Sequence, residues 1–227
     1  MRRDVLRRPR VGDSARLGVE LPAADGPRAG ARRGGDSALD AGPLADAKKN
    51  AKIRRQTIVF VDESGLSERP HRVRTWAPRG QTPVLPFHFN WEKLSVIAGI
   101  TWWHFYFRLY PDAIKSPQVV EFLGHLLRHV PGPLLVIWDR LRQHRSRLVQ
   151  DFVAAQRGRL TLEYLPAYAP ELNPTEYIWG HLKHHELPNF CAQSLWHLSD
   201  HARRALRRMR RRPTLVQAFW AQAGLFE

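Results

Sequence analysis

Two runs of consecutive apolar residues, 58–61 (IVFV) and 134–138 (LLVIW), are each followed at once by an aspartate. A strand that is apolar at every position must be covered on both faces, which places it inside a sheet flanked by helices. Asp62 and Asp139 then stand at the carboxyl ends of two such strands, where ligands of open α/β sheets collect. A carboxylate there is costly unless it is solvated, paired or bound to a metal ion. A third acid, Glu176, follows within ELNPTEYIW. Hard oxygen donors of this kind suit Mg2+ or Mn2+, and two such ions roughly 4 Å apart serve phosphoryl transfer.

Composition narrows the partner. A formal net charge of +15 over 227 residues points to a polyanion, most simply nucleic acid. The single Cys191 excludes an internal disulfide framework and a cysteine zinc site. No apolar stretch approaches the roughly 20 residues of a spanning helix, and the N-terminus carries no signal-peptide core. The expectation is a cytoplasmic, nucleoid-associated protein with no membrane partner.

Every Phe, Trp and Tyr lies at or after Phe60. Residues 1–45 are instead rich in Arg, Gly, Ala, Asp and Pro, too little apolar surface to offset the entropy of ordering. They read as a disordered or remnant segment, with a basic arm on DNA as the functional alternative. Residues 46–56, with Lys48, Lys49, Lys52, Arg54 and Arg55, read as a basic linker helix into a domain over 57–227. Within it, HRVRTWAP alternates as a hairpin strand would. Residues 93–100 and 104–109 read as strands, with Gly99 as a bulge. Ser116 is placed as the cap of a helix reaching 129, a basic helix follows over 146–157, and 160–165 closes the set as a strand. That order gives an α/β fold with a mixed sheet and helices on its faces.

Each acid also has a plainer explanation. Asp62 can cap the loop SGLS, and Glu63 beside it points to the opposite face, so only one of the two can join a shared site. Asp139 can pair with Arg140 or Arg142. Glu176 falls third in a helix capped by Asn173 and started by Pro174, where a capping-box glutamate reaches back. His184 and His185 are neighbours on a helix and cannot face one ligand, so they read as surface residues. Near the C-terminus, Leu195, Leu198, Ala202, Leu206 and Met209 form a helical stripe ended by Pro213. Arg203, Arg204, Arg207 and Arg208 on its other face suit phosphate contacts.

Taken in order, VFVDESG, RTWAPRGQTP, LSVIAGIT, LLVIWD with its following His144, and LPAYAPELNPTEYIWGHLK resemble the catalytic domain of bacterial insertion-sequence transposases of the mariner superfamily. That resemblance implies a DDE enzyme with a ribonuclease-H-like fold, a five-stranded mixed sheet flanked by helices. It carries Asp62, Asp139 and Glu176 over as a triad for two Mg2+ or Mn2+ ions that cleave double-stranded DNA at element ends and transfer the strand to a target. DNA contacts are then expected from Arg79, Arg140, Arg142, His144 and Lys183 as well as the four C-terminal arginines, and a homodimer is allowed. Two departures stand out. Arg140 occupies a place where the family has Asn or Gly, and residues 1–45 lack the helical periodicity of the family's helix-turn-helix modules, as in a truncated copy. A catalytically inert DNA-binding remnant is the competing reading, and a nuclease for RNA–DNA hybrids a weaker one.

Overall fold

The computed structural model of the protein describes residues 37–86, 92–166 and 169–225, with side chains from residue 44. Five strands form one mixed sheet in the order β3-β2-β1-β4-β5. β1 (Thr57–Ser67) runs through its middle. It is antiparallel to β2 (Lys93–Ile100), which is antiparallel to β3 (Phe105–Pro111). On its other side β1 is parallel to β4 (Leu134–Trp138), and β4 to β5 (Leu160–Tyr164). Parallel neighbours need a crossover, and α3 (Arg147–Ala155) supplies it between β4 and β5.

The sheet separates two cores. Val59, Val61, Val136 and Trp138 face α2 (Ser116–His129) and α3, together with Phe122, Leu126 and Val149. Phe60, Ala98 and Ile137 face the other way, toward α4 (Pro174–His181), α5 (Leu195–Arg210) and α6 (Pro213–Gln222). There Trp220 meets Phe60 edge-on, at 5.2 Å between ring centroids. Alternation along β1 therefore commits even and odd residues to opposite cores. The α/β arrangement, a five-stranded mixed sheet flanked by helices, is the ribonuclease-H-like one expected above.

Several local expectations change. β1 does not stop at Asp62 but continues to Ser67, because β2 pairs with its polar half from Asp62↔Ala98 to Ser67↔Lys93. What stops there is the pairing with β4, whose last rung is Phe60↔Ile137. α1 spans Ser37–Ile53, so residues 37–45 are helical; burial of Leu44, Ala47 and Ala51 holds the helix to the core. The expectation for residues 1–36 lies outside the described residues. HRVRTWAP forms no strand ladder. Residues 72–78 follow a single bridge, His71↔Pro188, without regular secondary structure, and the Asn189 side chain brackets Val73, accepting from its N–H at 2.9 Å and donating to its carbonyl at 3.0 Å. Ser116 is the first helical residue and Lys115 the cap, its N–H donating to Gln118 Oε1. Among the described residues no helix is long and apolar enough to cross a membrane.

Gly99 sits in regular register, opposite Val61 and Tyr106, so it is not a bulge. Its role is close approach: a Cβ there would lie 3.1 Å from Val59 Cγ1 and 3.3 Å from Leu126 Cδ2. Gly99→Val is expected to overpack the β1–α2 contact and destabilise the fold by about 1–3 kcal/mol in urea denaturation; a stability within error of the parent would show that α2 yields freely.

Candidate active site

Beside the last rung between β1 and β4, the carbonyls of Phe60 and Val61 meet the start of α4. The Thr175 hydroxyl donates to Phe60 O at 3.0 Å, and Asn173 Nδ2 lies 3.5 Å from Val61 O. Asn173 also caps the helix, its Oδ1 accepting from Thr175 N, and Pro174 occupies the first helical position. Asn173, Pro174 and Thr175 are all buried. NPT is thus both a helix start and the plug that docks α4 against the open side of β1. Glu176 comes next and is exposed; among the described residues its carboxylate makes no hydrogen bond back to Asn173, so the capping-box explanation is not realised. One turn later Trp179 Nε1 donates to Asp62 Oδ2 at 2.7 Å. Lys183, in the π-turn that extends α4, donates to Ser64 Oγ at 2.9 Å.

Asp139 is held from the opposite side of the sheet. Its Oδ1 accepts from His144 Nδ1 at 2.8 Å and from the Leu141 N–H at 3.0 Å. His144 Nε2 points at Glu63 Oε1, 3.2 Å away, and Gln143 Nε2 donates to Glu63 Oε2. The imidazole is wholly buried and lies parallel to the Trp138 ring at 4.2 Å. Both ring nitrogens face carboxylate oxygens, an arrangement that favours the doubly protonated ring. Asp62 and Glu63 do point to opposite faces, as alternation requires. Glu63 is nonetheless tied to the site through His144, a connection alternation alone does not exclude. His144 itself is corrected: it was expected on DNA, and burial between Trp138, Glu63 and Asp139 removes it from any DNA surface.

The electrostatics of the two aspartates differ. Burial pushes Asp62 up to about 7, with the charges of Glu176 and Asp139 adding to it against the hydrogen bond from Trp179. Burial also raises Glu176; Lys183 opposes this, and Asp139 adds to it. Burial works against the charge on Asp139 as well, but His144 and the Leu141 N–H outweigh it and hold the carboxyl below its ordinary range. Burial disfavours the His144 cation too, yet Asp139 and Glu63 together raise it to about 9. Glu176 and Asp139 therefore lie close enough to raise the proton affinity of Asp62, and Asp139 that of Glu176, where β4 ends beside the middle of β1 and α4 begins.

The basic residues fall in separate places. Arg140 and Arg142 are exposed on the loop after Asp139, and neither pairs with it among the described residues. Arg79 is exposed in the turn at residues 79–80. On α5, Arg204 pairs with Asp200 and Arg208 with Glu186, while Arg203 and Arg207 are exposed. Trp179 and Thr175 went unread in the sequence, and Glu63 was set aside by alternation. Only Trp179 carried a usable signal, its i+3 spacing from Glu176 on one helix face.

The family model that matches the chain, over residues 57–195, is that of the DDE superfamily endonucleases. The chain belongs to this family. No curated protein sequence matches it. Among solved structures, the DDE domain is similar to a mariner Mos1 paired-end complex with Mg (17% identity, TM-score 0.58, 92% of this chain and 64% of that one). It is also similar to a Mos1 transposase paired-end complex with the left transposon end (20% identity, TM-score 0.51, 81% and 60%). The likeness is one of fold, and the chain spans about 60% of the length of the Mos1 chain in that complex.

The buried Asp62 carboxylate gives a direct test. The folded-state pKa of Asp62 lies near 7 against an ordinary 3.8, so its penalty grows as pH rises between those values and is complete above the upper one. Asp62→Asn is expected to stabilise the protein in EDTA by on the order of 2–4 kcal/mol at pH 8 and by clearly less at pH 5, read by chemical denaturation. Equal effects at both pH values would show that Asp62 ionises normally.

Proposed function

We propose that this chain is a DNA transposase catalytic domain, cleaving DNA at element ends and transferring the strand, with Asp62, Asp139 and Glu176 as the residues that hold two Mg2+ or Mn2+ ions. The observation that carries this reading is the meeting of three carboxylates where β1 and β4 part. One of them is buried and raised to about 7 by its surroundings and by the other two. A fold does not gather like charges there without a compensating cation or proton.

The donor set fits divalent metal in kind, since all three residues offer hard oxygen and no cysteine competes. Among the described residues no three such groups are already drawn to coordinating distance, so the triad as it stands is open. The chemistry that two bound cations supply is activation of the attacking oxygen and stabilisation of the leaving one. The chain's own contribution is placement. Trp179 turns Asp62, the NPT plug sets Glu176 beside it, and Lys183 offers a positive charge next to Glu176 at the same edge. The Mos1 complexes similar to this fold contain a transposon end and Mg or Mn, which supports DNA and divalent metal as the partners here.

Arg203 and Arg207 on α5, with Arg140, Arg142 and Arg79, are the phosphate contacts of this reading. Lys183 joins them at the rim of the site, and Arg204 and Arg208 contribute after exchanging their acidic partners.

Two measurements check it. In metal-dependent nicking of plasmid or element-end DNA, Asp62→Asn, Asp139→Asn and Glu176→Gln should each lose activity by about 100-fold or more, as removal of a charge-stabilising group at a reacting centre does. Parental activity in any one removes that residue from the triad. DNA affinity should fall steeply with salt, and Arg203→Ala with Arg207→Ala should lower the log–log slope by about one for each phosphate that is no longer neutralised. An affinity unchanged between low and high salt would overturn the phosphate assignment.

A further inference from the structure

Triad chemistry gives Asp62, Asp139 and Glu176 work to do and leaves Glu63, Gln143 and His144 with none. Asp139 needs help that Asp62 does not. Asp62 sits on a central strand paired to β2, whereas Asp139 follows the last residue of β4 and opens a loop with no helix or strand until Arg147. The backbone hydrogen bond to its carboxylate, from the Leu141 N–H at 3.0 Å, comes from that same loop and does not tie it to the sheet.

We propose that Glu63 and His144 are positioning residues for Asp139: a buried strut, Glu63–His144–Asp139, that carries the rigidity of β1 across to the loop and fixes the direction of the Asp139 carboxylate. The inference rests on the reading of Asp139 as a metal-holding residue. Each link of the strut is constrained. Glu63 is anchored in the β1–β2 ladder opposite Ile97 and is steadied by Gln143. The His144 ring has no exposed surface, is stacked on Trp138 at an interplanar angle of 2°, and is engaged at both nitrogens. It therefore has one available orientation, and that orientation presents Nδ1 to Asp139 Oδ1 at 2.8 Å. A carboxylate–histidine pair behind a metal-holding carboxylate acts by orientation, and loss of such support typically costs about 10- to 100-fold in metal affinity.

The test is Mn2+ binding to the full chain without DNA, followed by electron paramagnetic resonance of free Mn2+. The parent, Asp139→Asn, Glu63→Ala, Glu63→Gln, His144→Phe and the Glu63→Ala/His144→Phe double variant are compared. Phenylalanine keeps the stack on Trp138 and removes both hydrogen bonds. Asp139→Asn should lose binding, and Glu63→Ala and His144→Phe should each weaken it about ten-fold. The double variant should be no weaker than either single one, as for residues acting in series. Glu63→Gln, which still accepts from His144, should recover most of the affinity. Residues that merely stabilise the fold would lower the melting temperature and leave Mn2+ affinity unmoved, and that result overturns the proposal. If the parent and Asp139→Asn bind Mn2+ alike, the metal reading of Asp139 has failed and the strut with it. If Asp139→Asn loses binding while Glu63→Ala and His144→Phe match the parent, only the strut has failed. Should those two variants not fold, Glu63→Asp decides: it keeps charge and burial but shortens the arm, so weakened binding supports the strut and unchanged binding refutes it.

Discussion

The site depends on how the sheet ends beside β1. Parallel pairing with β4 stops at Phe60, and a buried carbonyl left without a partner there would cost about 1–3 kcal/mol. The Thr175 hydroxyl donates to Phe60 O and the Asn173 amide reaches Val61 O, so helix α4 begins against β1 where β4 departs. Glu176 and Trp179 are delivered as a consequence. A hydrogen-bonding requirement of the fold and the assembly of the carboxylates are thus one event.

The β pleat then assigns the two aspartates to different supports. Phe60 and Asp62 share the face covered by α4, so Asp62 is oriented by an indole from that helix. Val61 and Glu63 share the face covered by α2 and α3, where Trp138 also lies, so Asp139 is supported through His144 from that side. The site is built across the sheet, with one support rooted in each core. Its two halves meet at β1, and the charge of Asp139 acts on Asp62 and Glu176.

The parts legible in the sequence are those fixed by short-range pattern. The run LLVIW could only be a strand covered on both faces, and the NPT helix start followed from the residue types alone. The parts that were not legible rest on distant partners. The polar half of β1 reads as a turn because SGLS lacks apolar alternation, and only β2, some 30 residues on, makes it a strand. Trp179 meets Asp62 across a separation of 117 residues. His144, within a run of arginines, looked like a DNA contact; its burial is decided by Trp138 and Glu63. Residues 37–45 looked too polar and broken to order, yet the helix that includes them is held by Leu44, Ala47 and Ala51 against the core.

The same burial gives the metal-free site an opposed response to acid and to base. Asp139 has a lowered pKa, so the stability it confers is present above the ordinary carboxylate range and is lost as pH falls through its folded value. His144 is raised to about 9, so its contribution is complete below about 6.5 and disappears as pH climbs through 9. Asp62 adds to the alkaline loss, because its charge is resisted between the ordinary value and about 7. The imidazolium holding Asp139 and the protonated form favoured at Asp62 therefore coexist best in mildly acidic conditions. Toward alkaline pH the site accumulates uncompensated negative charge, first at Asp62 and then, as His144 deprotonates, between Glu63 and Asp139. A cation at the triad would offset the charge on Asp62 and Asp139 directly, whereas that on Glu63 lies behind Asp139 and faces His144 and Gln143. That division separates the charge a ligand can neutralise from the charge the fold must neutralise itself.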